Sequence, residues 1–292
     1  MFTEESSQQQ LTPLSEERPA SPVANIDQQV QPVAPAAIST WWYPWLEVVK
    51  ALALWVTSVA LLLSVPVIVA LPYIVYRIIA SGPPSAEALS ADKWLVFLSV
   101  LGIIPAHLLT LFVVRTIVSQ GGRYSFWKTI GFEWPENIGP TAITLMSGLL
   151  AIILLALAYL VTTLYGGSKT QLDLLIESSL YTRFATAFVA VATAPLIEEV
   201  IYRGVIYPAL ERAAGMGVAI ALVSLLFAGV HVFQYKNNIS VIIVITLLSI
   251  VLTVARAVTG KVLPSFIIHL VFNGIQSLLL VLAPFMDQDL LK

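Results

Sequence analysis

Long apolar runs alternate along this chain with short polar breaks, and the runs are too long and too uniform for a soluble core. Stretches near 48–73, 94–118, 140–165, 183–205, 216–235, 238–256 and 262–285 are predominantly apolar. Each approaches the roughly 20 residues that a helix needs to cross the hydrocarbon layer. An open sheet edge cannot satisfy its backbone in lipid, so all of these runs are expected to be helices. The fold class that follows is all-α, a polytopic transmembrane bundle of roughly seven to eight spans. Pro66 and Pro72 fall inside the first run and are expected to bend it.

The polar breaks divide the rest. Residues 1–39 are rich in Gln, Pro, Ser, Glu and Ala without apolar periodicity, the composition of a disordered tail. The start is polar and has no apolar run behind basic residues, so no cleavable signal peptide is expected. Trp41, Trp42, Tyr43 and Trp45 then suit the headgroup region, where amphipathic rings settle. The segment 121–138 mixes aromatic and charged residues and reads as lying along the interface. Residues 170–182 place Leu172, Leu175, Ile176 and Leu180 on one helical face, an interfacial helix that is either a plain connector or a lid. The expected organisation is a tail (1–39), helices and interfacial segments (40–180), a transmembrane core carrying the chemistry (181–285) and a short polar end (286–292). Lys and Arg near the spans divide almost evenly between the two sides, giving only a marginal preference for a cytoplasmic N-terminus.

Composition narrows the function classes. Of 292 residues, 58% are apolar and 11% charged, against about 45–50% and about 25% in a soluble chain. The expected partner is therefore the lipid bilayer, and the expected location is a bacterial-type plasma membrane, crossed many times. A net charge of −2 offers no basic patch for nucleic acid. With no cysteine, disulfides, thiolate metal sites and a cysteine nucleophile are all excluded.

The candidate chemistry lies in the last third. An ionisable residue at bilayer depth costs at least about 2.5–3.5 kcal/mol and marks a functional site by default. Glu198 and Glu199 close the run Phe184 to Ile197, which has no charge, and Arg203 follows. Residues four apart stack on one helical face, so Glu199 and Arg203 can pair. Glu198 points about 100° away with no cation on its own helix, a candidate general base. Pro195 loosens the backbone just before it, having no N–H to donate. His231 shares a face with Phe227, whose ring can wall the imidazole from lipid. His269 and Asn273 share another face, and Gly274 leaves room for close backbone approach. Alone, each of these is as readily interhelical glue. Together they supply a carboxylate and an imidazole to polarise water, and an imidazole and a carboxamide to donate to a developing oxyanion. His107 has no polar companion at helical spacing and reads as a core histidine.

Competing chemistries leave fewer traces. No His-Glu-x-x-His and no Gly-x-Ser-x-Gly motif occurs, which removes a zincin-type and a nucleophile-elbow site. Two histidines and one glutamate leave an open zinc site as an alternative, and no other cofactor is indicated.

Three ordered pieces carry a family resemblance: Glu198-Glu199-Val200-Ile201-Tyr202-Arg203 with Gly204 behind it, Phe227 with His231, and His269 with Asn273. In this order and spacing they resemble the CAAX protease and bacteriocin-processing family, also called the type II CAAX prenyl endopeptidase or Abi family. The resemblance covers about a third of the chain, roughly residues 180–285, and every motif position is matched. It implies an intramembrane glutamic endopeptidase cleaving a membrane-associated substrate, prenylated or not. Carried over, Glu198 activates water and His231 helps to hold it. His269 and Asn273 form the oxyanion hole, and Glu199 with Arg203 supports the architecture. Two rivals stand beside this reading. One is a non-catalytic immunity or scaffolding protein of the same fold. The other is a transporter, which more often shows internal duplication, absent here.

Overall fold

The computed structural model describes residues 43–136, 138–166, 170–235 and 238–286. The N-terminal tail, Trp41, Trp42, the side chains of Tyr43 and Leu172, and the polar end beyond Met286 lie outside the described residues. Within them the regular structure is helical throughout.

Helix α1 (Tyr43–Ser81) is followed by α2 (Ala86–Ala91), α3 (Lys93–Leu101) and α4 (Ile103–Val118). The short α5 (Phe126–Ile130) leads to α6 (Pro140–Tyr165), α7 (Gln171–Ser178) and α8 (Leu180–Phe188). A π-helical segment (Val189–Thr193), α9 (Ala194–Glu199), a second π segment (Val200–Ile206) and α10 (Tyr207–Ala214) continue α8. Then come α11 (Met216–Tyr235), α12 (Ile239–Thr259) and α13 (Leu263–Met286).

Local chemistry sets these boundaries. Asp92 accepts from the amides of Trp94 and Leu95 and so starts α3. Thr170 and Asp173 form a capping box at the start of α7. Ser179 is extended and caps α8, so the single helix expected over 170–182 is two. Ile176 is buried, but Leu180 belongs to the second helix and is exposed.

Two spans are longer than expected. At 39 residues α1 is about 58 Å long, nearly twice the hydrocarbon thickness. Its far end is held by Tyr73 donating to Asp92 and by Arg77 at 3.4 Å from the same carboxylate. Pro66 lies against Gly102, where a Cβ would come within 2.5 Å of the Pro66 Cα. The fourth span runs Leu180–Ala214. It is carried past the expected end because its second half is buried, with Ile206, Tyr207 and Leu210 in the largest apolar core.

Among the described residues six helical stretches are long and apolar enough to cross a membrane. Loop contacts add α11 as a seventh. The amide of Val262 donates to the carbonyl of Gly131, and Lys261 pairs with Glu133 at 2.7 Å, so the α5 loop and the α12–α13 turn share one side. Ser240 donates to the carbonyl of Gly166, placing the α6–α7 and α11–α12 breaks together on the other side. Both pairings require an even number of crossings between their partners, which holds only if α11 crosses. The 121–138 segment, expected along the interface, thus clamps the α12–α13 turn. Phe126 and Ile130 are buried, and Phe132 packs on Phe266 at 5.3 Å.

Three apolar cores hold the bundle. The largest joins α1, α4, α5, the second π segment, α10 and α11. Another joins α6, α12 and α13, and a small one lies between α3, α8 and the first π segment.

Candidate active site

The glutamates sit on a single turn of α-helix enclosed by two π segments, and Pro195 accounts for the first. The amide of Ala194 reaches back five residues to Val189, and Pro195 has no N–H at all. The carbonyl of Ala190 is therefore left without a donor from its own helix. Asn273, on α13, supplies one: its Nδ2 donates to Ala190 O at 2.9 Å. Such π insertions cluster at functional sites because they redirect the side chains that follow.

Glu199 and Arg203 form the expected pair at 2.9 Å, both fully buried. The pair is embedded further than helical spacing alone showed. Arg203 also donates to the Thr253 hydroxyl and to the carbonyl and hydroxyl of Ser249 on α12. Its own carbonyl accepts from Arg256 Nε at 3.1 Å. The guanidinium lies 4.9 Å from the Phe227 ring centroid, so one face is covered by an aromatic ring. Ser249 and Thr253 are a polar pair four apart in an apolar span, but their spacing does not say which helix they face.

His269 is held between both glutamates. Its Nδ1–H donates to Glu199 Oε1 at 2.9 Å, and its Nε2 is 3.5 Å from Glu198 Oε2. Two carboxylates facing the two nitrogens of one imidazole are accommodated when both nitrogens carry hydrogen, or when one carboxyl does. Glu198 is the more open of the two acids, with a quarter of its side chain (26%) exposed. His231 donates its Nδ1–H to the carbonyl of Phe227 at 2.7 Å, which leaves Nε2 as an acceptor. Phe227 stacks beneath His231 at 4.8 Å and contacts the rings of Tyr202 and His269 at 5.1 and 6.0 Å. One phenylalanine thus packs against both histidines and the buried arginine.

All four candidate residues, Glu198, His231, His269 and Asn273, line one cavity of about 560 Å³. Apolar side chains from α1, α4, α6 and α12 complete its wall. A smaller cavity of about 100 Å³ adjoins Glu198 and His231, bounded by Ser58, Thr110 and Tyr202. The Tyr202 hydroxyl accepts from Trp55 Nε1 at 2.9 Å. Among the described residues no three His, Asp or Glu side chains are gathered as a metal ion would require.

Two sequence readings change. His107 is buried, as expected, but it has a polar partner across helices: its Nδ1 lies 2.9 Å from Thr193 Oγ1. It also lines both cavities beside Glu198. No spacing rule finds such a pair, because the partners are on different helices. Gly274 has nothing within 4 Å of a would-be Cβ, so no close approach occurs there. Gly204 does make one, with Ile130 Cβ 3.2 Å from that position.

No curated protein and no solved structure matches the chain. Residues 180–275 match the family described as Type II CAAX prenyl endopeptidase Rce1-like. The matched segment opens at the first residue of α8 and ends just past Asn273, so it contains both glutamates, Arg203, His231 and His269. Over this segment, about a third of the chain, the protein is similar to the CAAX protease family of membrane endopeptidases.

Proposed function

We propose that this protein is an intramembrane glutamic endopeptidase, hydrolysing a peptide bond of a membrane-associated substrate that enters the large cavity between the helices. The observation that carries the reading is the gathering of Glu198, His231, His269 and Asn273 on that cavity. In its carboxylate form Glu198 accepts a proton from water, and the water oxygen attacks the scissile carbonyl carbon. The Nε2 of His231 accepts the second hydrogen of the same water and fixes its orientation. The oxyanion is met by the remaining Nδ2–H of Asn273 and by His269, whose Nε2 turns from Glu198 at little cost because that contact is already long. When the C–N bond breaks, Glu198 returns its proton to the leaving amine. Glu199 and Arg203 hold His269 in register throughout. No step uses a metal ion, and the product is a new carboxylate and a free amine.

The test is cleavage of a quenched peptide library, with and without farnesyl groups, by the full-length protein in lipid nanodiscs. Glu198→Gln is run in parallel, each protein with and without a chelator. Cleavage that disappears in the variant and persists with chelator is the expected result. Cleavage by both proteins alike removes Glu198 as the base, and loss with chelator brings a metal into the mechanism. If neither protein cleaves any peptide, weight moves to the immunity or scaffolding reading.

A further inference from the structure

His107 lies on α4, outside the segment that carries the family match, yet it stands at the junction of the two cavities beside Glu198. Its orientation is fixed. Thr193 Oγ1 donates to the carbonyl of Val189 at 3.3 Å, so its hydroxyl hydrogen is already used. With that hydrogen on the Val189 carbonyl, the bond between Thr193 and His107 runs from the imidazole Nδ1–H to Oγ1. What remains on His107 is the Nε2 lone pair, an acceptor without a protein partner among the described residues.

We infer that His107 is a substrate-positioning residue, its Nε2 accepting a hydrogen bond from a backbone N–H of the peptide bound in the large cavity. The inference rests on the peptidase reading above. A water has two hydrogens, and Glu198 and the Nε2 of His231 already accept both. A third acceptor on the same cavity is surplus to the water. A peptide that leaves the aqueous phase carries amide donors, each costly to bury unpaired. The apolar lining contributed by Leu155, Val244, Ile245 and Leu248 offers them nothing. The Ala190 carbonyl is occupied by Asn273. Other polar groups line the same wall, Thr162, Thr186, Gln234 and Gln276 among them, but His107 is distinguished by Thr193, at the end of the first π segment, which holds its other nitrogen at 2.9 Å.

The experiment is an ester scan. A peptide cleaved by the wild-type protein in nanodiscs is remade with one amide at a time replaced by an ester, which removes a single N–H. Each version is assayed with wild type, His107→Phe, His107→Gln and Glu198→Gln. At one position the ester should lower kcat/KM about 10-fold in wild type and leave His107→Phe unchanged, since that variant has already lost the acceptor. His107→Gln, which retains a carbonyl acceptor, should keep the ester penalty. Should His107→Phe fold poorly, Thr193→Val replaces it, because it frees the imidazole to turn and should reduce the same penalty. Equal penalties in wild type and the variants at every position would overturn the proposal while leaving the peptidase reading intact. Wild-type turnover by Glu198→Gln, or no cleavage of any peptide, would instead remove the reading on which it rests.

Discussion

At the scale of single residues, the site depends on which polar atoms are already committed. Arg203 has its guanidinium shared among Glu199, Ser249 and Thr253 in a fully buried position. Removing it leaves Glu199 charged and without its cation, a defect of about 3–5 kcal/mol. Arg203→Ala should therefore reduce the yield of folded protein and lower the detergent-solubilised melting temperature. Arg203→Lys should recover part of this, because it restores the charge without the planar fork. A melting temperature unchanged in Arg203→Ala would mean that the pair is not structural. The Glu199–Arg203 pair was legible because helical spacing of four is enough to place both ends. The Ser249 and Thr253 partners were not, since they depend on how α12 is rotated, and an almost uniformly apolar helix carries little information about its rotation.

The π segments set the site at the scale of elements. Pro195 withholds a donor, Ala190 loses its helical partner, and Asn273 supplies the missing hydrogen. This chain of cause makes a coupled prediction. Asn273→Ala should destabilise the protein by about 1–3 kcal/mol, the cost of a buried carbonyl left unpaired. In a Pro195→Ala background the new amide can reach Ala190, so the same substitution should cost less. Additive losses in thermal unfolding would break the argument. Pro195→Ala alone should be neutral or stabilising but less active, because a tighter helix turns Glu198 away from the cavity. Between α1 and α4, Gly102→Ala should separate α1 from the α3–α4 junction. Its Cβ meets the Pro66 backbone, which cannot move aside as a side chain would. Pro195 was visible in the sequence as a local loosening. That the consequence is two π segments, and that Asn273 repairs one of them, depends on the neighbouring helix.

For the whole molecule, seven crossings place successive loops on alternate sides. The chain contains no cysteine, so single cysteines report topology without background. Ser81→Cys and Glu136→Cys should be labelled from opposite sides of sealed vesicles by a membrane-impermeant maleimide. Labelling of both from one side would overturn the crossing order. The clamp between the α5 loop and the α12–α13 turn should also respond to pH. The hydrogen bond from Lys261 holds the Glu133 carboxyl below its ordinary value. A carboxylate with a lowered folded value stabilises above the ordinary range and loses that contribution as pH falls through the folded one. Amide exchange across Phe126–Ile130 should therefore quicken in acid. Glu133→Gln should show the faster exchange already at neutral pH.

The sequence by itself determined the solvent, the helical class, seven apolar runs of about span length, and the identity of the ionisable residues. Each of these follows from composition or from spacing along one helix, which is all a one-dimensional pattern encodes. Only the tertiary structure decided where the helices face. It put His269 between two glutamates and brought Asn273 to the carbonyl of Ala190. It also brought His107 from the second span to Thr193 and the same cavity. These contacts join residues far apart in the chain and on different helices. In spans apolar on nearly every side, the rotation that creates them is set by packing against neighbours, and no periodicity records it.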